Sequence, residues 1–268
     1  MSGRAKSTAA LRSAPHGAPS DSVLELRGLT KSFGETQIIR GVDLTLKRYQ
    51  RHGLIGPNGA GKSTLFNLIS GQYVPTSGEI MLNGAPIAGL SPHVINRRGL
   101  SRSFQITNVF PRMSVAENLR TSIMGRHGHR LTVFRPVRSL KSVNDEVDEF
   151  IEKLRLGRRR NDLAGDLAYS EQRILEMGMS LATDPAVLIL DEPTAGMSRE
   201  EARYIVELIR QVTEERTLLV VEHDMSVVFT LCDQVSVLVY GVIIASGEPA
   251  AVRADKRVQE AYLGEEVH

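Results

Sequence analysis

Nine residues, Gly56-Pro57-Asn58-Gly59-Ala60-Gly61-Lys62-Ser63-Thr64, place spaced glycines ahead of a lysine and two hydroxyl side chains. Glycines at this spacing let successive backbone N–H groups turn inward around phosphate oxygens. A helix starting at the lysine would aim the positive end of its dipole at the same anion. In that arrangement Lys62 reaches the β and γ phosphates of a nucleotide, and the Ser63 hydroxyl ligates Mg²⁺. A second stretch, Val187-Leu188-Ile189-Leu190-Asp191-Glu192-Pro193, ends an apolar run in two adjacent carboxylates. Ligands of open parallel sheets bind at the C-terminal ends of strands. There Asp191 would hold Mg²⁺ through its water shell, and Glu192 would polarise an attacking water as general base. The phosphate loop alone fits a kinase, a GTPase or an ATPase. The carboxylate pair adds one group for the metal and one for the nucleophile.

The surrounding pattern supplies elements that could position these groups. Leu24 to Arg27 alternate like a strand, Gln37 to Leu46 reads as a second, and Arg51 to Ile55 runs straight into the glycine loop. Helix-forming residues follow from Lys62 to Ile69, and a short strand, Glu79 to Leu82, ends at the turn signal Asn83-Gly84. From about Ser114 to Leu181 the pattern is mainly helical, with Val143, Val147, Phe150, Ile151 and Leu154 on one apolar face. Val187 to Leu190 and Thr217 to Val221 are apolar enough for buried parallel strands. Between them the spacing predicts a helix over Arg199 to Thr213, opened by a capping box of Ser198 and Glu201. Alternating strands and helices point to a three-layer α/β core.

Composition bounds the partners. The chain has 268 residues, with 41% hydrophobic and 24% charged, enough for one large α/β domain, or a core with a small appended subdomain. A formal net charge of +2 is too small to imply nucleic acid. One cysteine, Cys232, makes no internal disulfide and reads as a small buried hydrophobe in a reducing compartment. The apolar stretch Val235 to Ala245 is too short to cross a bilayer. Residues 1–21 lack the apolar centre of a secretion signal and read as a disordered tail. His127 and His129 have metal-like spacing but no cysteine or carboxylate beside them in sequence, and they read as a loop. Arg158 to Arg160 could meet lipid headgroups or nucleic acid, or form a solvated loop, which is the simpler reading.

A P-loop lysine, Lys62, and a strand-end Asp191, far apart with a helical insert between them, resemble the ATP-binding-cassette ATPases. The resemblance covers about residues 23–264. It implies an α/β fold with a three-layer P-loop ATPase core, an N-terminal antiparallel β subdomain, a helical subdomain at about 106–182 and a short C-terminal helix at about 256–264. By this resemblance Phe33 stacks on adenine, Gln105 touches Mg²⁺ and the attacking water, and His223 contacts the γ-phosphate. The catalytic set is then Glu192, His223 and Gln105, and the metal set is Ser63, Gln105 and Asp191. The cofactors implied are ATP and Mg²⁺.

Two segments depart from the family pattern. A Leu-Ser-Gly-Gly-Gln signature normally opens a helix and caps the nucleotide of the opposite subunit; here the run is Leu167-Ala168-Tyr169-Ser170-Glu171. Ala168 removes a hydroxyl, and Ser170 adds a side chain where glycine allows close approach. Ser170 could partly replace the lost donor, leaving Ala168, Ser170 and Glu171 as the nucleotide contacts of a weakened signature. Ser198 stands where many members carry an aspartate.

Within the family, Ser103-Phe104-Gln105 leading to Asn108-Val109-Phe110-Pro111, the Leu167-Ala168-Tyr169 opening of the signature, the segment Thr194-Ala195-Gly196-Met197, and the ending Val258 to Glu265 resemble the ATPases of branched-chain amino-acid importers and their urea or amide relatives. That resemblance implies a second, often non-identical ATPase subunit, two transmembrane permeases, and an external solute-binding protein acting through them. It implies a peripheral position on the cytoplasmic face of the inner membrane, with the helical insert as the docking surface. Other readings stay open: a lipid or lipopolysaccharide exporter ATPase, a soluble cassette protein, or a nucleotide-binding regulator without turnover.

Overall fold

The computed structural model describes residues 21–103, 109–127 and 141–263. In chain order these form β1 (Ser22–Phe33), β2 (Thr36–Lys47), β3 (Arg51–Ile55), α1 (Lys62–Ile69), β4 (Ser77–Leu82), β5 (Ala85–Pro86), α2 (Pro92–Arg97), β6 (Leu100–Arg102), α3 (Val115–Arg126) and α4 (Lys141–Lys153). Then follow α5 (Tyr169–Leu181), β7 (Val187–Asp191), α6 (Arg199–Val212), β8 (Thr217–Val221), α7 (Met225–Leu231), β9 (Gln234–Val239), β10 (Val242–Gly247), α8 (Pro249–Ala254) and α9 (Lys256–Leu263).

The first sheet has the order β2-β1-β4-β5 and is antiparallel throughout. Val42, Leu44 and Leu46 are buried while their neighbours in β2 face outward, the alternation expected of a sheet with one wet face. Asn83 and Gly84 both take positive φ, 49° and 75°, which gives the two-residue β4–β5 turn the twist a hairpin needs.

The second sheet has the order β10-β9-β3-β8-β7-β6. Its four inner pairings, from β9 to β6, are parallel, and β10 closes the edge antiparallel. Every residue of β7 and β8 is buried, because helices or the first sheet cover both faces. Side-chain alternation sorts them into two cores. Leu188, Leu190, Leu218 and Val220 join the apolar faces of α3 to α7, while Val187, Ile189, Leu219 and Val221 pack with α1 and the first sheet. This is the three-layer α/β arrangement expected from the sequence.

Within the helical layer, Val143, Val147 and Ile151 of α4 are buried, with Leu154 just beyond it, and Phe150 lies partly buried at the margin. The arginine run sits on a 3-10 turn. There Arg159 pairs with Asp162 and Glu171, and Arg160 with Asp148, all in exposed or half-buried positions. His127 meets a carboxylate after all: Glu146 of α4 accepts from it at 3.0 Å and also from Arg126. The result is an ion-pair cluster, and among the described residues no group of three metal-ligating side chains occurs. His129 lies outside the described residues. Cys232 is buried, and desolvation pushes its thiol up to about 12, so it is inert at neutral pH. No helix among the described residues is long and apolar enough to cross a membrane.

His52 of β3 is the other buried titratable group with a large displacement. Its Nε2 shares a hydrogen bond with Ser236 Oγ at 2.9 Å, which continues to Ser246 Oγ at 2.8 Å. Burial lowers its pKa from 6.5 to about 4. The folded chain therefore keeps the ring neutral where the unfolded chain protonates it, so stability is full above the unfolded value and falls as pH drops toward the folded one. The loss between pH 7 and pH 4 is about 3 kcal/mol from this group. Urea unfolding across that range should show it, and His52→Gln should flatten that part of the profile.

Candidate nucleotide site

The phosphate loop leaves the sheet at the end of β3. Gly56 has no room for a side chain: an added Cβ would sit 2.0 Å from the Leu238 carbonyl oxygen of β9. Gly61, at φ 105°, is held against Ile39 of β2, where an added Cβ would lie 2.9 Å from Ile39 Cδ1. The crown of the loop is pinned from β9–β10, because Gly241 N–H donates to the Ala60 carbonyl at 2.9 Å. Lys62 Nζ donates back to the Gly56 and Pro57 carbonyls at 2.6 and 2.9 Å, placing its cation inside the loop. α1 opens at Lys62 with no side-chain cap, so its first N–H groups are free of intrahelical partners. Ser63 is exposed at that end, with Asn58 and Gly59 exposed on the crown and Pro57 and Thr64 half-buried. Such a cradle, closed to side chains, rimmed by N–H donors and holding one cation, suits a polyphosphate.

The neighbouring strands deliver the carboxylates. Leu54 of β3 is opposite Val221 of β8, and Val221 is opposite Asp191 of β7. Adjacent strands lie about 4.8 Å apart, so the loop after β3, His223 after β8, and Asp191 and Glu192 at β7 emerge along one edge of the sheet. Asp191 is buried and accepts from the Arg102 guanidinium at 2.8 Å. Arg102, in β6, also donates to Asn67 Oδ1 at 2.7 Å and Ser70 Oγ at 3.1 Å, tying β7 to the helix that follows the phosphate loop. Glu192 takes a left-handed backbone, φ 47°, fixed by donation from its N–H to the Val221 carbonyl at 2.9 Å. A non-glycine residue in that conformation stores strain, as functional loops do. The His223 side chain is 64% exposed and so free to reach a ligand. Gln105 lies outside the described residues, two positions past Ser103, whose N–H donates to Ile189 of β7.

Phe33 ends β1 and is 45% exposed, so it is not a core residue. It meets Tyr73 edge to face, centroids 5.3 Å apart, with Lys31 Nζ 4.8 Å above the Phe33 ring. The hairpin it belongs to is the one that touches Gly61.

The signature residues sit elsewhere. Ala168, Ser170 and Glu171 open α5 in the helical layer, on the opposite side of the sheet from α1. Glu171 accepts from Ala168 N–H at 3.0 Å and from Arg159 Nε at 3.0 Å. At the start of α6 the Ser198 backbone N–H and hydroxyl hold the Glu201 carboxyl below the usual range, with a smaller contribution from Ser170. Within this chain the signature and the phosphate loop therefore form two separate surfaces.

Three residues escaped the sequence reading: Arg102, Tyr73 and Glu222. Glu222 is fully buried and grips Thr194. A cation at the end of one strand and an acid at the end of another is a signal only once β6 and β7 are known to be neighbours.

A phosphate loop beside strand-end carboxylates in a parallel sheet defines a P-loop nucleotide hydrolase. Residues 39–195 match the ABC transporter family, and residues 242–268 match the branched-chain amino acid ATP-binding cassette transporter family. The chain is 38% identical over 253 residues to the high-affinity branched-chain amino acid transport ATP-binding protein BraF of Pseudomonas aeruginosa, covering 91% of this chain and 98% of that one. It is 36% identical over 258 residues to the corresponding LivG protein of Escherichia coli K12, covering 92% and 99%. The ADP conformation of MJ1267, an ATP-binding cassette of an ABC transporter, superposes with a TM-score of 0.78 at 27% identity, over 91% of this chain and 99% of that one. The chain belongs to the ABC transporter family, as an ATP-binding cassette ATPase.

The Arg102–Asp191 pair is the polar contact most exposed to test. Arg102→Met leaves a buried carboxylate without its cation and should cost about 3 kcal/mol or more in urea unfolding. Adding Asp191→Asn should recover much of that loss.

Proposed function

We propose that this chain is the ATP-hydrolysing subunit of an importer for branched-chain amino acids or related small polar solutes. The observation that carries the proposal is the match of residues 242–268 to the branched-chain cassette transporters. That segment covers β10, α8 and α9, outside the phosphate loop, so its similarity is not owed to ATP chemistry that every cassette shares. It favours this reading over the lipid exporter, the soluble cassette protein and the regulator without turnover.

In this reading the N–H groups of Gly56 and of Asn58 to Gly61, with Lys62 and Thr64, hold the phosphates, Pro57 shapes the loop, and Phe33 packs on the base. Ser63 and Asp191, with Gln105, would hold Mg²⁺, which when bound neutralises phosphate charge as the terminal bond breaks. Glu192 orients and deprotonates the attacking water, and His223 contacts the terminal phosphate. Glu192→Gln keeps the shape and removes the base. Purified protein carrying it should bind ATP with little change, hydrolyse it more than about a hundredfold more slowly, and accumulate as an ATP-bound dimer on gel filtration. Prompt turnover by that variant would defeat the assignment.

The partner arrangement follows from the two separate surfaces. A signature that faces away from its own phosphate loop acts on a nucleotide held by another subunit. Ala168, Ser170 and Glu171 are the residues presented there. Because Ala168 lacks the signature hydroxyl and Ser170 adds a side chain where glycine allows close approach, one of the two composite sites is weakened, which suits a non-identical second ATPase. Two permeases, fed by an external binding protein, complete the transporter, with this chain peripheral on the cytoplasmic face of the membrane.

The helical layer offers the docking face. Phe110, Met113 and Leu163 are 46%, 40% and 45% exposed. They are locked together by Ala164 N–H to Met113 O at 2.9 Å and Gly165 N–H to Pro111 O at 3.0 Å. Exposed apolar side chains held on a rigid turn suit an amphipathic helix of a permease. Phe110→Asp with Leu163→Asp should abolish co-purification with the permeases from detergent-solubilised membranes while ATP binding persists.

A further inference from the structure

Glu222 stands between the end of β8 and the exposed His223, and it is completely buried. Its Oε1 accepts twice from one residue, from Thr194 N–H at 3.0 Å and from Thr194 Oγ1 at 2.6 Å. Thr194 is itself buried and lies two residues after Glu192. The other oxygen, Oε2, is sealed from solvent and has no hydrogen-bond partner. His223 Nδ1 lies 3.7 Å from it, just beyond bonding range. An acceptor left bare in a core is costly and calls for a purpose. Thr194 needs only one acceptor oxygen, so packing and that anchor alone do not account for the second oxygen of a carboxylate here.

We propose that Glu222 is a positioning residue that couples the segment behind Glu192 to the imidazole of His223. Oε1 anchors that segment through Thr194, while Oε2 receives Nδ1–H when the exposed His223 ring turns inward. A carboxylate oxygen can only accept, so it selects the Nδ1–H tautomer and directs Nε2 outward; the bond at one ring nitrogen decides the state of the other. A shift of the segment carrying Glu192 then moves Thr194, Glu222 and the histidine together. The catalytic meaning of this relay rests on the reading of His223 as nucleotide-facing, whereas the contact itself does not.

Glu222→Gln separates the two. The carbonyl of the introduced amide can still accept from Thr194, but an NH₂ donor replaces Oε2, which requires Nδ1 to accept and switches the ring to the Nε2–H tautomer. Long-range ¹H–¹⁵N spectra of the full-length, nucleotide-free protein, above the ordinary imidazole pKa and assigned against His223→Gln, should show Nδ1–H in the wild type and Nε2–H in Glu222→Gln. The same substitution should lower kcat for ATP by about tenfold or more with KM unchanged, because the phosphate loop is untouched. Thr194→Val, which removes one anchor, should lower kcat less and leave the tautomer as it was. An Nε2–H ring in the wild type overturns the contact, as does a Glu222→Gln protein with unaltered tautomer and kcat. Should Glu222→Gln fail to fold, the wild-type tautomer and the Thr194→Val rate decide. A tautomer that switches while His223→Gln hydrolyses ATP at the wild-type rate keeps the contact and removes its catalytic meaning.

Discussion

The parallel registration of β3, β8 and β7 is the constraint on which the site depends. Leu54, Val221 and Asp191 lie in one row across three strands. Each strand's next residues therefore leave the sheet at the same height: the glycine loop from β3, Glu222 and His223 from β8, Glu192 from β7. A shift of one residue in β7 would turn Asp191 to the opposite face and withdraw it from Arg102. Full burial of β7 and β8 on both faces is what prevents such a shift, since each face must match a different core.

Around that edge, polar groups are held by few but strong contacts. The phosphate loop uses glycine to let the β9 carbonyl and β2 approach. Lys62 occupies the cavity so formed, and Arg102 links Asp191 to α1. Glu192 and Glu222 carry the opposite kind of feature, a left-handed backbone in one and a bare buried oxygen in the other. The groups nearest the proposed chemistry retain strain or a bare acceptor. Local cost of this kind is what binding a ligand, or closing on a partner, can relieve.

The departures from the family signature have a shared physical consequence. Ser170 and Ser198 replace a glycine and an acid, and both help hold the Glu201 carboxyl below its usual range, Ser198 through direct hydrogen bonds that close the opening of α6. The Ser198 hydroxyl, which would be free to meet a second subunit, is instead spent inside the chain. The residues of the phosphate loop and the strand ends show no parallel change.

What the sequence by itself determined was local. The glycine loop, the helix after it, the apolar strands ending in Asp191-Glu192 and the Ser198–Glu201 cap are legible because their physics lies within a few consecutive residues. The tertiary structure decided what depends on partners distant in sequence. Arg102 finds Asp191 across 89 positions, Glu222 finds Thr194 across 28, and His127 acquires Glu146 from a helix 19 residues on. Neither the second edge of the first sheet nor the placement of β6 beside β7 was apparent, since strands of two or three residues carry too little periodicity to be read. Charge pairing and burial are set by which elements become neighbours, and that is a property of the packed sheet that no single stretch of chain contains.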